Sequence, residues 1–405
     1  MAGQKVEFAG ASGQVLAAQV ELSVGPLRAV ALFAHCFTCT MRSHAATRLT
    51  RALAALGIAT MRFDFTGLGG SEGDFGNEGF AGDVADIVAA ANHLRDTIGA
   101  PALLIGHSLG GAAVLAAAEQ VAEARAVATI GAPFDPAHVL HHLHGDLAAI
   151  ERDGSGDVAI AGRHFRIGAT FLHALRATDQ GARIGRLHRA LLVLHAPRDE
   201  VVGIDNAREI YEAAHHPKSF VSLDGADHLL TREEDALYAA RMIATWAERY
   251  LPPVDTGPAV APGEVVVGNA SGKFGTIVRT HLHSLLADEP VTAGGEDAGP
   301  SPYDLLLAAL GACTSMTLKL YAERERLPLE DVEVRLRHER NHRSDTEPDT
   351  LGAARVQALY RAIRMTGPLT PEQHAHLLTI ADKCPVHRTL SGPLHIHTSE
   401  VPDAE

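Results

Sequence analysis

The 405-residue chain predicts two folded parts: an α/β domain built on a doubly wound parallel sheet with a helical cap, then a separate α+β domain. Three observations carry that reading. The length exceeds the roughly 250–300 residues at which a single hydrophobic core stops growing. From residue 29 to 250, short apolar runs alternate with longer amphipathic ones, the rhythm of a parallel sheet covered on both faces. The stretch "LPPVDTGPAVAPG" then breaks all periodicity, and beyond it strand-like and helix-like segments come in blocks. The expected boundaries are 1–250 for the first domain, with a cap at about 134–188, then 251–263 for the linker and 264–405 for the second domain.

In chain order, "RAVALFAH", "GIATMRFDF", "ALLIGHS", "AVATIGAP", "ALLVLHAP" and "SFVSLDG" read as buried strands. Segments such as "HAATRLTRALAALG" and "AGDVADIVAAANHLRDTIG" read as the helices between them. In the second part, "EVVVGNASGKFGTIVRTHLHSLLADEP" alternates with period two like a hairpin, and a long helix runs from Ser301. Strands follow near "DVEVRLRHER" and "RVQALYRAIRMTG". Another helix starts after Thr370, where Pro371 takes the first turn and Gln373 completes a capping box.

Composition narrows the function. Apolar residues make up 46% of the chain, enough for real cores, and the formal charge is −14. That balance opposes binding to phosphate backbones or anionic bilayers, so neither nucleic acid nor membrane is an expected partner. The N-terminus lacks a charged-then-apolar signal pattern, and runs such as "LLLAALGA" are too short to span a bilayer, so a soluble cytoplasmic protein is expected. Four cysteines in a chain this long are no disulfide scaffold.

"ALLIGHSLGGAAVLAAAEQ" holds Gly106-His107-Ser108-Leu109-Gly110, a G-x-S-x-G pattern with an apolar strand before it and a helix after it. A serine raised on a sharp strand-to-helix turn needs small residues two positions either side, and both glycines supply that room. Its hydroxyl needs a positioned base, so an acid and a histidine should follow in that order. Asp199 and His228 each stand just after a predicted strand, with Glu200 and Asp227 as neighbouring alternatives. Cys36-x-x-Cys39 fits loop packing, a redox pair or half a zinc site, although no second paired motif completes four ligands. His138, His141, His142 and His144 read as a solvated cap face rather than a metal site.

Residues 29–250 resemble the α/β-hydrolase family on these motifs. The resemblance implies a serine esterase and makes the backbone N–H groups of Phe37 and Leu109 the oxyanion hole. It gives "FDFTGLGGSEGDF" a positional role.

In the second part, Leu306, Leu310, Cys313, Thr317 and Leu320 recur at helical spacing, so Cys313 is expected on the core side of its helix. The period-two strand puts Ile277, Arg279, His281 and His283 on one face, making Arg279 a candidate cation for a thiolate. Cys384 precedes Pro385 and reads as an N-cap, a place that favours ionised sulfur. From composition alone, two inert buried thiols are the favoured reading.

"PYDLLLAALGACTSM" followed by "ADKCPVHRTL" is similar to the OsmC/Ohr family, over about residues 264–400. That likeness implies a thiol peroxidase acting on organic hydroperoxides within an intertwined homodimer. Cys313 would attack the peroxide and Cys384 would resolve it, with no cofactor beyond an external dithiol reductant. The family's glutamate ten residues before the first cysteine is Tyr303 here, so Asp304 is the expected stand-in. The reading is thus a bifunctional protein, cleaving a carboxylester or thioester and reducing hydroperoxides. The alternative is an esterase whose second half only dimerises or binds ligand.

Overall fold

The computed structural model describes residues 3–23, 27–36, 39–142, 145–160, 163–176, 179–252, 259–270, 273–341 and 356–400. Phe37, His144 and the side chains of His141 and His142 therefore lie outside the described residues. The chain divides into two compact units, Met1–Gly272 with Thr276–Leu286, and Lys273–Gly275 with Ala287–Glu405.

The first unit opens with β1 (Gln4–Ala9) and β2 (Val15–Glu21), an antiparallel pair. The α/β alternation follows as β3 (Ala29–Ala34), α1 (His44–Ala55), β4 (Ile58–Phe63), α2 (Phe75–Thr97), β5 (Leu103–His107), α3 (Leu109–Ala117) and β6 (Ala126–Ile130). The cap comes next: a 3₁₀ turn at Pro136–His142, α4 (Leu147–Asp153), the hairpin β7 (Ser155–Ile160) and β8 (Arg163–Gly168), α5 (Ala169–Arg176) and α6 (Gln180–Gly185). Then β9 (Ala190–His195), α7 (Asp205–Ala213), β10 (Lys218–Ser222) and α8 (Glu233–Ala247) complete the unit's main body. The eight-stranded sheet has the order β1-β2-β4-β3-β5-β6-β9-β10, and its last six strands run parallel.

Burial explains the central strands. β3, β4, β5, β6 and β9 are buried at every position because helices cover both faces. Each face has its own core, one built with α2 and α3, the other with α1 and α8. Buried Arg62 on β4 reaches Glu21 at 2.8 Å, Gln19 at 2.8 Å, the Thr50 hydroxyl at 2.6 Å and the Met41 carbonyl at 2.8 Å. A guanidinium with all three nitrogens hydrogen-bonded ties the antiparallel edge to the loop that follows β3.

A three-stranded sheet of β11 (Val266–Asn269), β12 (Thr276–Arg279) and β13 (Ser284–Ala287) follows. Here one expectation changes. β12 ends at Arg279, and the Thr280 N–H donates to the His283 carbonyl at 2.8 Å. His281 and His283 consequently sit in a turn, not beside Arg279 on a strand face.

The second unit holds α9 (Pro302–Arg324), β14 (Asp331–Asn341), β15 (Val356–Thr366), α10 (Pro371–Ala381) and α11 (Pro385–Ser391). β14 and β15 pair antiparallel. Both long helices start at capping boxes, Ser301 with Asp304 and Thr370 with Gln373. The core stripe of α9 is Leu310, Thr314, Leu318 and Ala322, not the expected run from Leu306 to Leu320. Leu318 packs with Val332, Leu377 and Ile380, while Leu320 is 69% exposed. Cys313 is half-buried and Cys384 buried.

Candidate active sites

Ser108 stands between β5 and α3 with φ +55° and ψ −126°, a conformation that L-residues rarely adopt. Its surroundings leave no alternative to glycine on either side. A Cβ on Gly106 would lie 2.2 Å from the Gly110 carbonyl oxygen, and one on Gly110 would lie 2.4 Å from that of His35. The Leu109 N–H opens the first turn of α3, next to the serine.

The loops after β9 and β10 carry the other two groups. The His228 Nε2 is 3.0 Å from Ser108 Oγ, and its Nδ1 is 2.7 Å from Asp199 Oδ2. Asp199 Oδ1 accepts the backbone N–H groups of Val201 and Val202, both at 2.9 Å. Burial pushes the Asp199 carboxyl up, yet the bonds from His228 and Val202 outweigh it, so the group lies below the usual carboxylate range. Asp227 instead holds the Thr231 N–H at 2.9 Å in its own turn, and Glu200 is exposed.

Three further histidines close the ends of neighbouring strands. His107 Nε2 is 2.7 Å from the His228 carbonyl oxygen, and His195 Nε2 is 2.7 Å from that of Val202. His35 Nδ1 is 2.7 Å from the Cys36 carbonyl oxygen. Asp64 lies 3.6 Å from His35 and accepts the N–H groups of Met41 at 2.6 Å and Gly70 at 2.9 Å. This is the positional work of the "FDFTGLGGSEGDF" segment. Cys36 and Cys39 are joined by a disulfide. Among the described residues no group of three or more His, Cys, Asp or Glu is arranged to hold a metal ion.

In the second unit, Cys313 and Cys384 neighbour each other. Burial raises the Cys313 thiol, and the adjacent Cys384 raises it further. Burial also pushes Cys384 up, but bonds from Cys313, the N–H groups of His387 and Val386, and Thr314 outweigh it and leave its pKa below the ordinary thiol value. Of the two, Cys384 is the sulfur this unit prepares to ionise.

The arginine beside this pair is Arg361 on β15, which sequence reasoning missed. It donates to the Thr314 hydroxyl at 2.9 Å, the Ala381 carbonyl at 3.1 Å and Asp382 at 2.6 Å. A signal was present: Arg361 shares the face of Ile363 and Met365, both packed on the core, so a charge interrupts an apolar alternation. Arg279, the expected cation, belongs to the first unit. Asp304 does not stand in for the family glutamate here, because its carboxylate accepts the Ser301 N–H at 3.0 Å and hydroxyl at 2.6 Å. Tyr303 stacks on His338 with ring centres 4.2 Å apart.

Fold and geometry together define a serine hydrolase unit followed by an α+β unit with a thiol pair. The serine aminopeptidase S33 family matches residues 25–152, and the OsmC-like protein family matches residues 294–399. The chain is 46% identical to the esterase domain of a Rhodothermus marinus protein, covering 62% of this chain and 99% of that one at a TM-score of 0.53. Est1E of Butyrivibrio proteoclasticus, solved with ferulic acid, shares the fold at 19% identity and a TM-score of 0.52, over 59% of this chain and 98% of that one. A putative hydrolase of Agrobacterium vitis does so at 18% identity and 0.51, over 60% and 97%. No curated protein matches the sequence. The chain belongs to the α/β-hydrolases through its N-terminal part, which is fused to an OsmC domain.

Proposed function

We propose that the chain is a bifunctional enzyme, a serine hydrolase of carboxylesters or thioesters joined to a cysteine-based reductase of organic hydroperoxides. The observation that carries the first activity is the continuous chain from Ser108 through His228 to Asp199. His228 Nε2 takes the hydroxyl proton as Ser108 Oγ bonds to the substrate carbonyl carbon. The developing oxyanion lies near the Leu109 N–H at the positive end of α3. The imidazolium then returns its proton to the leaving oxygen or sulfur, and water releases the acyl group by the same route. A fluorophosphonate probe should label Ser108 in the wild type and not in Ser108→Ala. Labelling that persists in the variant overturns the assignment.

Support for the second activity comes from the neighbouring thiols of Cys313 and Cys384. Cys313 must give up its proton against its raised pKa before it reacts. The Cys313 sulfur then attacks the distal peroxide oxygen, giving a sulfenic acid and, with one proton, an alcohol. Cys384 displaces water from that sulfenic acid to form a disulfide, which an external dithiol reduces. An open depression of about 550 Å³, lined by Thr317, Leu320, Tyr321 and Ile380 together with the charged Glu323, Arg324 and Lys383, offers an approach on this unit.

The raised pKa of Cys313 favours a second reading, an esterase whose OsmC domain only dimerises or binds ligand. Mass spectrometry after treatment with cumene hydroperoxide separates them: a dithiol-reversible Cys313–Cys384 disulfide supports the reductase, and its absence leaves the binding module. The reading also takes the protein to be a homodimer through the OsmC domain and to reside in the cytoplasm, where dithiol reductants are at hand. The exposed apolar side chains Met316 and Leu320 on α9 support a second copy there.

A further inference from the structure

We infer that His107 and His195 are positioning residues for the hydrolase reaction, each holding by its Nε2–H the backbone of the loop that presents another triad member. The inference rests on the reading of Ser108, His228 and Asp199 as the catalytic set. His107 ends β5 and reaches the carbonyl of His228 itself, 2.7 Å away. His195 ends β9 and reaches the carbonyl of Val202, also at 2.7 Å, within the turn whose N–H groups hold Asp199. The two rings thus anchor the base and the acid of the triad to the rigid centre of the sheet.

A carbonyl oxygen can only accept, so both rings must be neutral or protonated with the proton on Nε2. Burial pushes His107 down to about 4 and lowers His195 as well, so both stay neutral at ordinary pH and carry one N–H each. His195 is fully buried, and its Nδ1 has no hydrogen-bond partner among the described residues. An atom left unsatisfied in this way is costly to bury. A leucine there would avoid the cost but donate nothing. The His195 ring therefore works against stability in one respect and in favour of geometry in another, the pattern expected at functional positions. The neighbouring rings of His107 and His228, 5.3 Å apart, also leave His228 little room to swing away from Ser108.

The test compares His107→Phe, which keeps ring volume without a donor, with His107→Gln, whose amide nitrogen reaches roughly as far as Nε2. With p-nitrophenyl acetate, His107→Phe should lower kcat about 10- to 100-fold, as a displacement near 1 Å would, with KM within about twofold. His107→Gln should recover most of the loss, and His195→Phe with His195→Gln should repeat the pattern. Should the Phe variants not fold, the pair His107→Asn and His107→Gln decides, since the shorter amide cannot span the gap. Equal kcat in donor and non-donor variants, or a loss confined to KM, overturns the inference. Failure of the underlying reading looks different, because wild-type Ser108 would then resist the fluorophosphonate probe.

Discussion

At the scale of the residue, the hydrolase site depends on atoms that are missing as much as on those present. Gly131 follows β6 with φ +55°, and a Cβ there would sit 3.3 Å from both Asp199 Oδ2 and His228 Nδ1. Gly131→Ala therefore presses on the bond between acid and base and adds left-handed strain of about 1–2 kcal/mol. The expected result is a kcat about tenfold or more lower with a modest drop in Tm, read by ester hydrolysis and thermal unfolding. His107 gives a pH prediction. Its ring faces His228, Asp199 and His35, and burial takes it from an ordinary 6.5 to about 4. The unfolded chain then binds the proton first as pH falls. The neutral ring's contribution is complete above pH 6.5, is lost progressively toward about 4, and is constant below that, a total on the order of 3 kcal/mol. Urea midpoints between pH 7.5 and 4.5 (roughly the window in which such linkage acts) should fall more steeply for the wild type than for His107→Gln.

At the scale of the element, caps and core stripes decide what holds. Thr370→Ala removes the hydroxyl that accepts the Gln373 N–H and should cost about 1 kcal/mol. Leu318→Ala opens a void where Leu318 meets Val332 and Leu377 and should cost about 2–5 kcal/mol. Denaturant unfolding of the two variants checks that order. Five of the six parallel strands were legible because full burial writes uninterrupted apolar runs into the sequence, as in "ALLVLH". β1 and β2 escaped notice because they lie at a half-exposed edge where polar residues interleave. The β7–β8 hairpin was hidden among cap residues with no clean period. In α9 apolar residues occur all round the helix, so spacing could not tell the stripe through Leu310, Thr314 and Leu318 from the one through Leu306 and Leu320.

At the scale of the whole molecule, two site patterns were legible to different depths. A triad on strand ends follows from chain order, because a parallel sheet delivers each loop to one edge. A thiol pocket is built from side chains of several elements, and Arg361 was no nearer in sequence to either cysteine than many other basic residues. Met316 and Leu320, 70% and 69% exposed, make the OsmC domain's self-association a further expectation. Sedimentation should show a dimer that Leu320→Glu weakens, whereas a monomeric wild type at micromolar concentration removes the second copy from the reading.

The most direct measurement is a peptide map of the protein after treatment first with a fluorophosphonate and then with cumene hydroperoxide. Two chemistries in one chain predict an adduct on Ser108 and a dithiol-reversible link between Cys313 and Cys384 in the same molecules. An unmodified Ser108 contradicts the hydrolase, and free thiols at both cysteines contradict the reductase.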